Sequence, residues 1–224
     1  MRLILAEYIE ALKEDGELDK LIQDILRQHR IAVISAPERG RQYGVDIYAV
    51  GKDFEDNDRK KVFLITVKKG DLDRQTWNGD KNALYQSLEE IKTVFIRSNL
   101  ATQHRNLPIK IVVAFNGLLK QSVQQSWRGY AEANPENEYT LWNSDWLLAQ
   151  FEEKLLSQDS FSPDHRSFLR KTIIHLENPE YQLQDFASLL SLVSVQFQKT
   201  KFKKAKLRIL RELQVTVLIV IKYA

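Results

Sequence analysis

Cysteine is absent from the 224 residues, which excludes disulfides and thiolate zinc sites. No apolar run approaches the roughly 18 residues of a spanning helix, so no membrane partner is expected. The opening MRLILAEYIEALKEDGELDK has a short apolar stretch, but acids follow at once. It therefore does not read as a signal peptide, and a cytoplasmic protein is the expectation. Internal repeats and low-complexity segments are missing. So is a glycine-rich phosphate loop: GRQYG (Gly40–Gly44) lacks the helix and lysine that such a loop requires. His29, His104, His165 and His175 show no metal-ligand spacing, and no Ser/His/Asp arrangement emerges. A strong charge of one sign is lacking too. The net charge of +3, with pI near 8.9, permits a nucleic-acid partner without arguing for one.

What is present is an ordinary globular balance, 43% apolar and 28% charged. The length suits one sizeable domain, or a domain with a smaller appendage. From Leu3 to Arg30 the apolar residues fall at helical spacing, with Gly16 breaking the run into two helices or kinking one. Ile31–Ser35, Val45–Val50 and Lys61–Lys69 read as three strands, the last two joined by the polar GKDFEDNDRK connection. A polar loop holding Trp77 leads to a helix over Asn82–Arg97. Ile109–Gly117 reads as a fully apolar strand of the kind buried in mid-sheet. A helix over Ser122–Ala133, a short strand YTLWN and a helix from about Asp145 to Leu156 follow. SQDSFSPDH reads as a linker, and the rest as three helices. Three strands followed by strand–helix alternation predict an α/β fold, a mixed sheet flanked by helices, over residues 1–157. Residues 158–224 form a helical extension.

Two charges stand out in strands bound for the core. Side chains alternate faces along a strand, so Val62, Leu64, Thr66 and Lys68 share one side of the third strand, and Asp46, Tyr48 and Val50 share one side of the second. Antiparallel pairing of these strands brings Asp46 beside Thr66 and Lys68. An acid, a hydroxyl and a lysine so placed can hold a divalent cation and orient a water for attack on a phosphodiester. The bland alternative is a salt bridge between two strand ends.

A helix, a strand, a turn, a Gly-Val-Asp strand (Gly44, Asp46), a strand ending in x-x-Lys (Lys68) and a further helix resemble the PD-(D/E)xK nuclease superfamily. The similarity runs from about Gly16 to Leu156 and is greatest to the Mrr-like branch of restriction endonucleases and related defence effectors. There the first core helix carries an acid just after an apolar residue, which Leu18 and Asp19 match. The resemblance implies a restriction-endonuclease-like fold and Mg²⁺-dependent (or Mn²⁺-dependent) cleavage of DNA. Asp46 and Asp19 would bind the metal, Lys68 would orient the attacking water, and Thr66 would fill the slot where the family has Glu, Gln or Asp. That departure leaves two expectations open. Asp19 or Glu38 supplies the missing oxygen, or the chain is a catalytically silent module that binds DNA or a protein. Arg39, Arg41, Lys69 and Arg74 are candidate phosphate contacts, each also readable as a solvated loop residue. Trp77 and Lys81 extend that basic–aromatic stretch, and Gln86 could face the site from the following helix.

The densest basic run is QKTKFKKAKLRILRELQ, and VTVLIVIKYA follows it, apolar on every side. Either a partner subunit, plausibly a second copy, covers this end or the chain continues beyond Ala224.

Overall fold

The computed structural model describes residues 2–35, 43–79, 83–155, 163–176 and 178–223. The chain divides into two compact units, Arg2–Gln150 and Phe151–Ala224.

In the first unit α1 (Arg2–Ala11) and α2 (Asp19–Gln28) are separated by a single wide turn, Glu14–Leu18. The predicted break at Gly16 is real: Asp15 is extended and Gly16 has φ +80°. On α2 the stripe Leu18, Leu21, Ile22, Ile25 and Leu26 is buried, each side chain contributing about 1.5–3 kcal/mol of apolar burial. Five strands follow: β1 (Ala32–Ser35), β2 (Ile47–Asp53), β3 (Arg59–Lys68), β4 (Ile109–Phe115) and β5 (Glu138–Trp142). They form one sheet in which spatial order equals chain order. β1, β2 and β3 are antiparallel neighbours, whereas β3, β4 and β5 run parallel. The expected α/β mixed sheet is therefore present. The β2–β3 register runs from Ile47↔Ile65 to Asp53↔Arg59. A slip of one residue would turn every apolar side chain to the wrong face.

One face of the sheet, carrying Tyr48, Val50, Val62, Leu64, Ile111 and Val113, packs on α4 (Leu84–Glu90), its π-turn continuation Ile91–Asn99, and α5 (Gln121–Ala133). The other face, with Ala49, Phe63, Ile65, Val112 and Ala114, is equally dry. α1, α2 and α6 (Ser144–Gln150) supply that second layer. Between β3 and β4 lies a short helix, α3 (Arg74–Asn78), where a loop is expected. Five residues are too few to show periodicity; its start is marked only by Asp73, which accepts from the Thr76 N–H at 2.9 Å. Trp77 on it packs on the core through edge-on contacts with Tyr85, Trp127 and Tyr130.

Gly44 controls entry into β2. Its φ is +78°, and a Cβ there would lie 2.2 Å from the Ser87 carbonyl oxygen on α4. Gly44→Ala should therefore cost roughly 2–3 kcal/mol in urea unfolding, combining left-handed strain with a backbone clash. A loss below the few-tenths level would mean that the loop has slack.

The second unit contains α7 (Pro163–His175), α8 (Gln184–Lys199) and α9 (Lys203–Tyr223). Leu169, Leu189, Val193, Ile209 and Ile219 are buried in it, while Leu210, Val217 and Ile221 of α9 are exposed. Among the described residues no helix is long and apolar enough to cross a membrane.

Candidate active site at the strand ends

The parallel strands end on the side of the sheet where β2 begins. Open α/β sheets characteristically bind ligands beyond the carboxyl ends of their strands. Asp46 N–H donates to the Ile65 carbonyl at 2.9 Å, extending the β2–β3 ladder by one residue. The Asp46 carboxylate turns back on β3, accepting from the Val67 N–H at 2.7 Å and from the Thr66 hydroxyl at 3.4 Å. Burial pushes the Asp46 carboxyl up to about 6. The Val67 amide, the Lys68 ammonium and the Thr66 hydroxyl pull the other way, and the negative charge of Glu14 adds to the rise. Lys68 is half-buried beside it.

Glu14 was not among the acids marked by the sequence. It opens the turn between α1 and α2, which is closed by Leu18 N–H on the Lys13 carbonyl (2.9 Å) and by Lys13 N–H on the Glu17 carboxylate (2.9 Å). That turn carries Glu14 to the end of β3, where its carboxylate accepts from the Lys69 N–H at 3.0 Å. Asp19, the acid expected from the resemblance, is buried at the start of α2 and accepts from the Lys20 N–H at 2.8 Å. Glu14 is an acid whose charge adds to the rise at Asp46. The only sequence signal for it was its place two residues before the helix-breaking glycine.

Lys69 and Arg74 are exposed beyond the end of β3. Glu38, Arg39, Arg41 and Lys81 lie outside the described residues. Gln86 is exposed on α4 and donates to Glu90 at 3.3 Å, the helix-surface role. The histidines have structural partners: His29 stacks on Phe54 with ring centroids 3.6 Å apart, His104 bonds Tyr48, His165 lies 3.8 Å from Glu212, and His175 3.3 Å from Asp185.

A second charged group occupies the opposite end of the sheet and corrects the expectation of a fully apolar β4. Lys110 is buried there, with its ammonium 2.9 Å from Asp53, 2.8 Å from Glu55 and 3.1 Å from Glu138. Lys61 reaches Asp53 at 2.9 Å, Asp56 at 2.8 Å, and Glu138. The Trp146 indole N–H donates to Glu55 at 2.8 Å. Burial alone would lower both lysines, but the surrounding carboxylates outweigh it and hold them above the ordinary lysine range. The carboxylates of Asp53, Asp56 and Glu138 lie close enough together to hold a metal ion. The two ammonium groups offset part of this charge from within, and Lys61, bonded to all three carboxylates, stands where a cation would sit. This group braces the sheet, joining β2, β4 and β5 at that end.

Known protein families, curated proteins and solved structures offer no match to this chain. Thr66 is the most testable part of the strand-end site: Thr66→Val removes a hydroxyl that favours ionised Asp46 and should move that carboxyl further above 6. A carboxyl ¹³C titration measures this, and an unmoved or lowered value would show that the hydroxyl plays no part.

Proposed function

We propose that the chain is a metal-dependent endonuclease that hydrolyses phosphodiester bonds in DNA. The observation that carries the reading is the convergence of Asp46, Glu14, Thr66 and Lys68 from three separate elements at the carboxyl ends of the strands. Two carboxylates that repel one another, beside a neutral hydroxyl, form a hard oxygen set suited to Mg²⁺ or Mn²⁺. Asp46 and Glu14 would hold the cation, with Thr66 beside them. A bound divalent cation neutralises phosphate charge and eases water ionisation. Lys68 orients the attacking water and stabilises the charge that builds on the phosphoryl oxygens. Lys69 and Arg74, exposed just past the strand end, are placed to meet the DNA backbone.

The test is incubation with supercoiled plasmid in Mg²⁺, Mn²⁺ or EDTA, alongside Lys68→Ala. Nicked or linear product that needs metal and disappears in the variant supports the enzyme. Thr66 in a slot where relatives of the PD-(D/E)xK type carry an acid or amide supports one alternative, a silent DNA- or protein-binding module. DNA retention without cleavage under any metal would select it.

A further inference from the structure

We infer that Asn116 is a positioning residue for the Glu14–Asp46–Lys68 site and sets how tightly that site holds a divalent cation; this rests on the metal-dependent reading above. Asn116 follows β4 directly and is buried to 1% exposure. Its amide is bonded on both sides. The two hydrogens of the Nδ2 group are shared among the carbonyls of Ile9 (2.9 Å), Glu10 (3.1 Å) and Leu12 (3.0 Å), at and just past the end of α1; the Ile9 carbonyl also accepts from the Leu12 N–H at 3.2 Å. Its Oδ1 accepts from the Gly70 N–H at 2.7 Å. One side chain thus ties the end of α1 to the loop after β3.

Those two attachment points bracket the site. Leu12 lies two residues before Glu14, and Gly70 lies next to Lys69, whose N–H holds the Glu14 carboxylate. The loops cannot shift independently of Asn116. A Cβ on the adjacent Gly117 would lie 2.4 Å from the Gly70 backbone, so the two loops are already in contact. The same crossing is stitched by Leu72 N–H to Leu118 O (3.0 Å) and Lys120 N–H to Leu72 O (3.0 Å). A helix cap alone would need only the three carbonyl bonds. The fourth, to Gly70, fixes the separation of the two segments that carry Glu14 and Lys68.

The experiment is calorimetric titration of Mn²⁺ into the unsubstituted chain, Asn116→Ser, Glu14→Gln and the double variant, each first shown to be folded by circular dichroism. Asn116→Ser should weaken Mn²⁺ binding by about 10- to 100-fold, the range for groups that orient metal ligands. In the Glu14→Gln background the same change should alter affinity by no more than about twofold, because the group it acts through is already gone. Equal losses in both backgrounds would overturn the inference, as would unchanged binding in Asn116→Ser. If the unsubstituted chain binds no Mn²⁺, the metal-site reading falls first and this inference with it. If Asn116→Ser fails to fold, amide exchange in the unsubstituted chain decides. Mg²⁺ should slow exchange at Lys69 and Gly70 together, and protection of Lys69 with Gly70 unmoved would overturn it.

Discussion

Asp46→Asn should abolish DNA cleavage and, at the same time, make the fold more stable above pH 6. The first effect follows from losing a charged oxygen where the metal and the phosphate would meet, a change on the order of a thousandfold in rate. The second follows from the raised carboxyl. A folded-state value of about 6 against 3.8 means that folding favours the protonated acid. This contribution is fully present below about pH 3.8 and is lost as pH rises through 6. By pH 7 the ionised carboxylate costs on the order of 2–3 kcal/mol that a neutral amide of the same shape avoids. The Val67 N–H keeps its acceptor in the variant. Urea midpoints from pH 4 to 8 should show the variant and parent converging at the acid end, separating between about 4 and 6 and holding a constant gap above that. Mg²⁺ should narrow that gap by stabilising only the parent. A variant less stable than the parent at pH 7 would sink this account of Asp46. An isostere that gains stability and loses activity is the mark of an acid kept for function.

Lys110→Met should do the reverse: a large loss of stability, with the cleavage rate per folded molecule unchanged. The Asp53 carboxylate is fully buried between the Lys61 and Lys110 ammoniums. Burial alone would raise it, yet the two lysines and the Glu55 N–H hold it below the ordinary aspartate range. Removing one ammonium leaves buried negative charge uncompensated, at a cost of about 3–5 kcal/mol. Because Asp53 is depressed, its contribution is present above about pH 3.8 and fades as pH falls, so the penalty should shrink in acid. The stretch of β3 from Lys61 to Lys68 spans about 23 Å, too far for the change to reach the strand-end site directly. A loss under 1 kcal/mol at pH 7, or cleavage falling in step with Lys68→Ala, would contradict this division of labour.

These two ends of the sheet were unequally legible in the sequence. Asp46, Thr66 and Lys68 could be brought together on paper because strand alternation and antiparallel pairing are local rules, and the β2–β3 register follows both. Glu14 could not. Its position depends on how a turn between two helices meets the end of a strand 55 residues later, and KEDGELD offers several acids with nothing to rank them. Lys110 is hard to read from the sequence for a related reason. In Ile109–Gly117 one lysine among apolar neighbours does not disturb a strand assignment, and its partners Asp53, Glu55 and Glu138 come from three other places in the chain. Its presence in a run otherwise built for burial was the available signal, since a buried lysine requires a buried acid. The helix stripes and the mixed sheet, set by apolar periodicity, were readable throughout the first unit.

Spatial order equal to chain order in the sheet has a consequence for assembly. Each strand can dock beside the one made just before it, so β1, β2 and β3 form a meander from nearby contacts, while β4 and β5 arrive only after longer crossovers close. Asp46, Glu14 and Lys68 all emerge within the first third of the chain, yet the amide that fixes their spacing belongs to residue 116. The early meander therefore carries every proposed reactive group without their final separation. The proposed site takes its final geometry when β4 zips onto β3, in the slower, parallel half of folding.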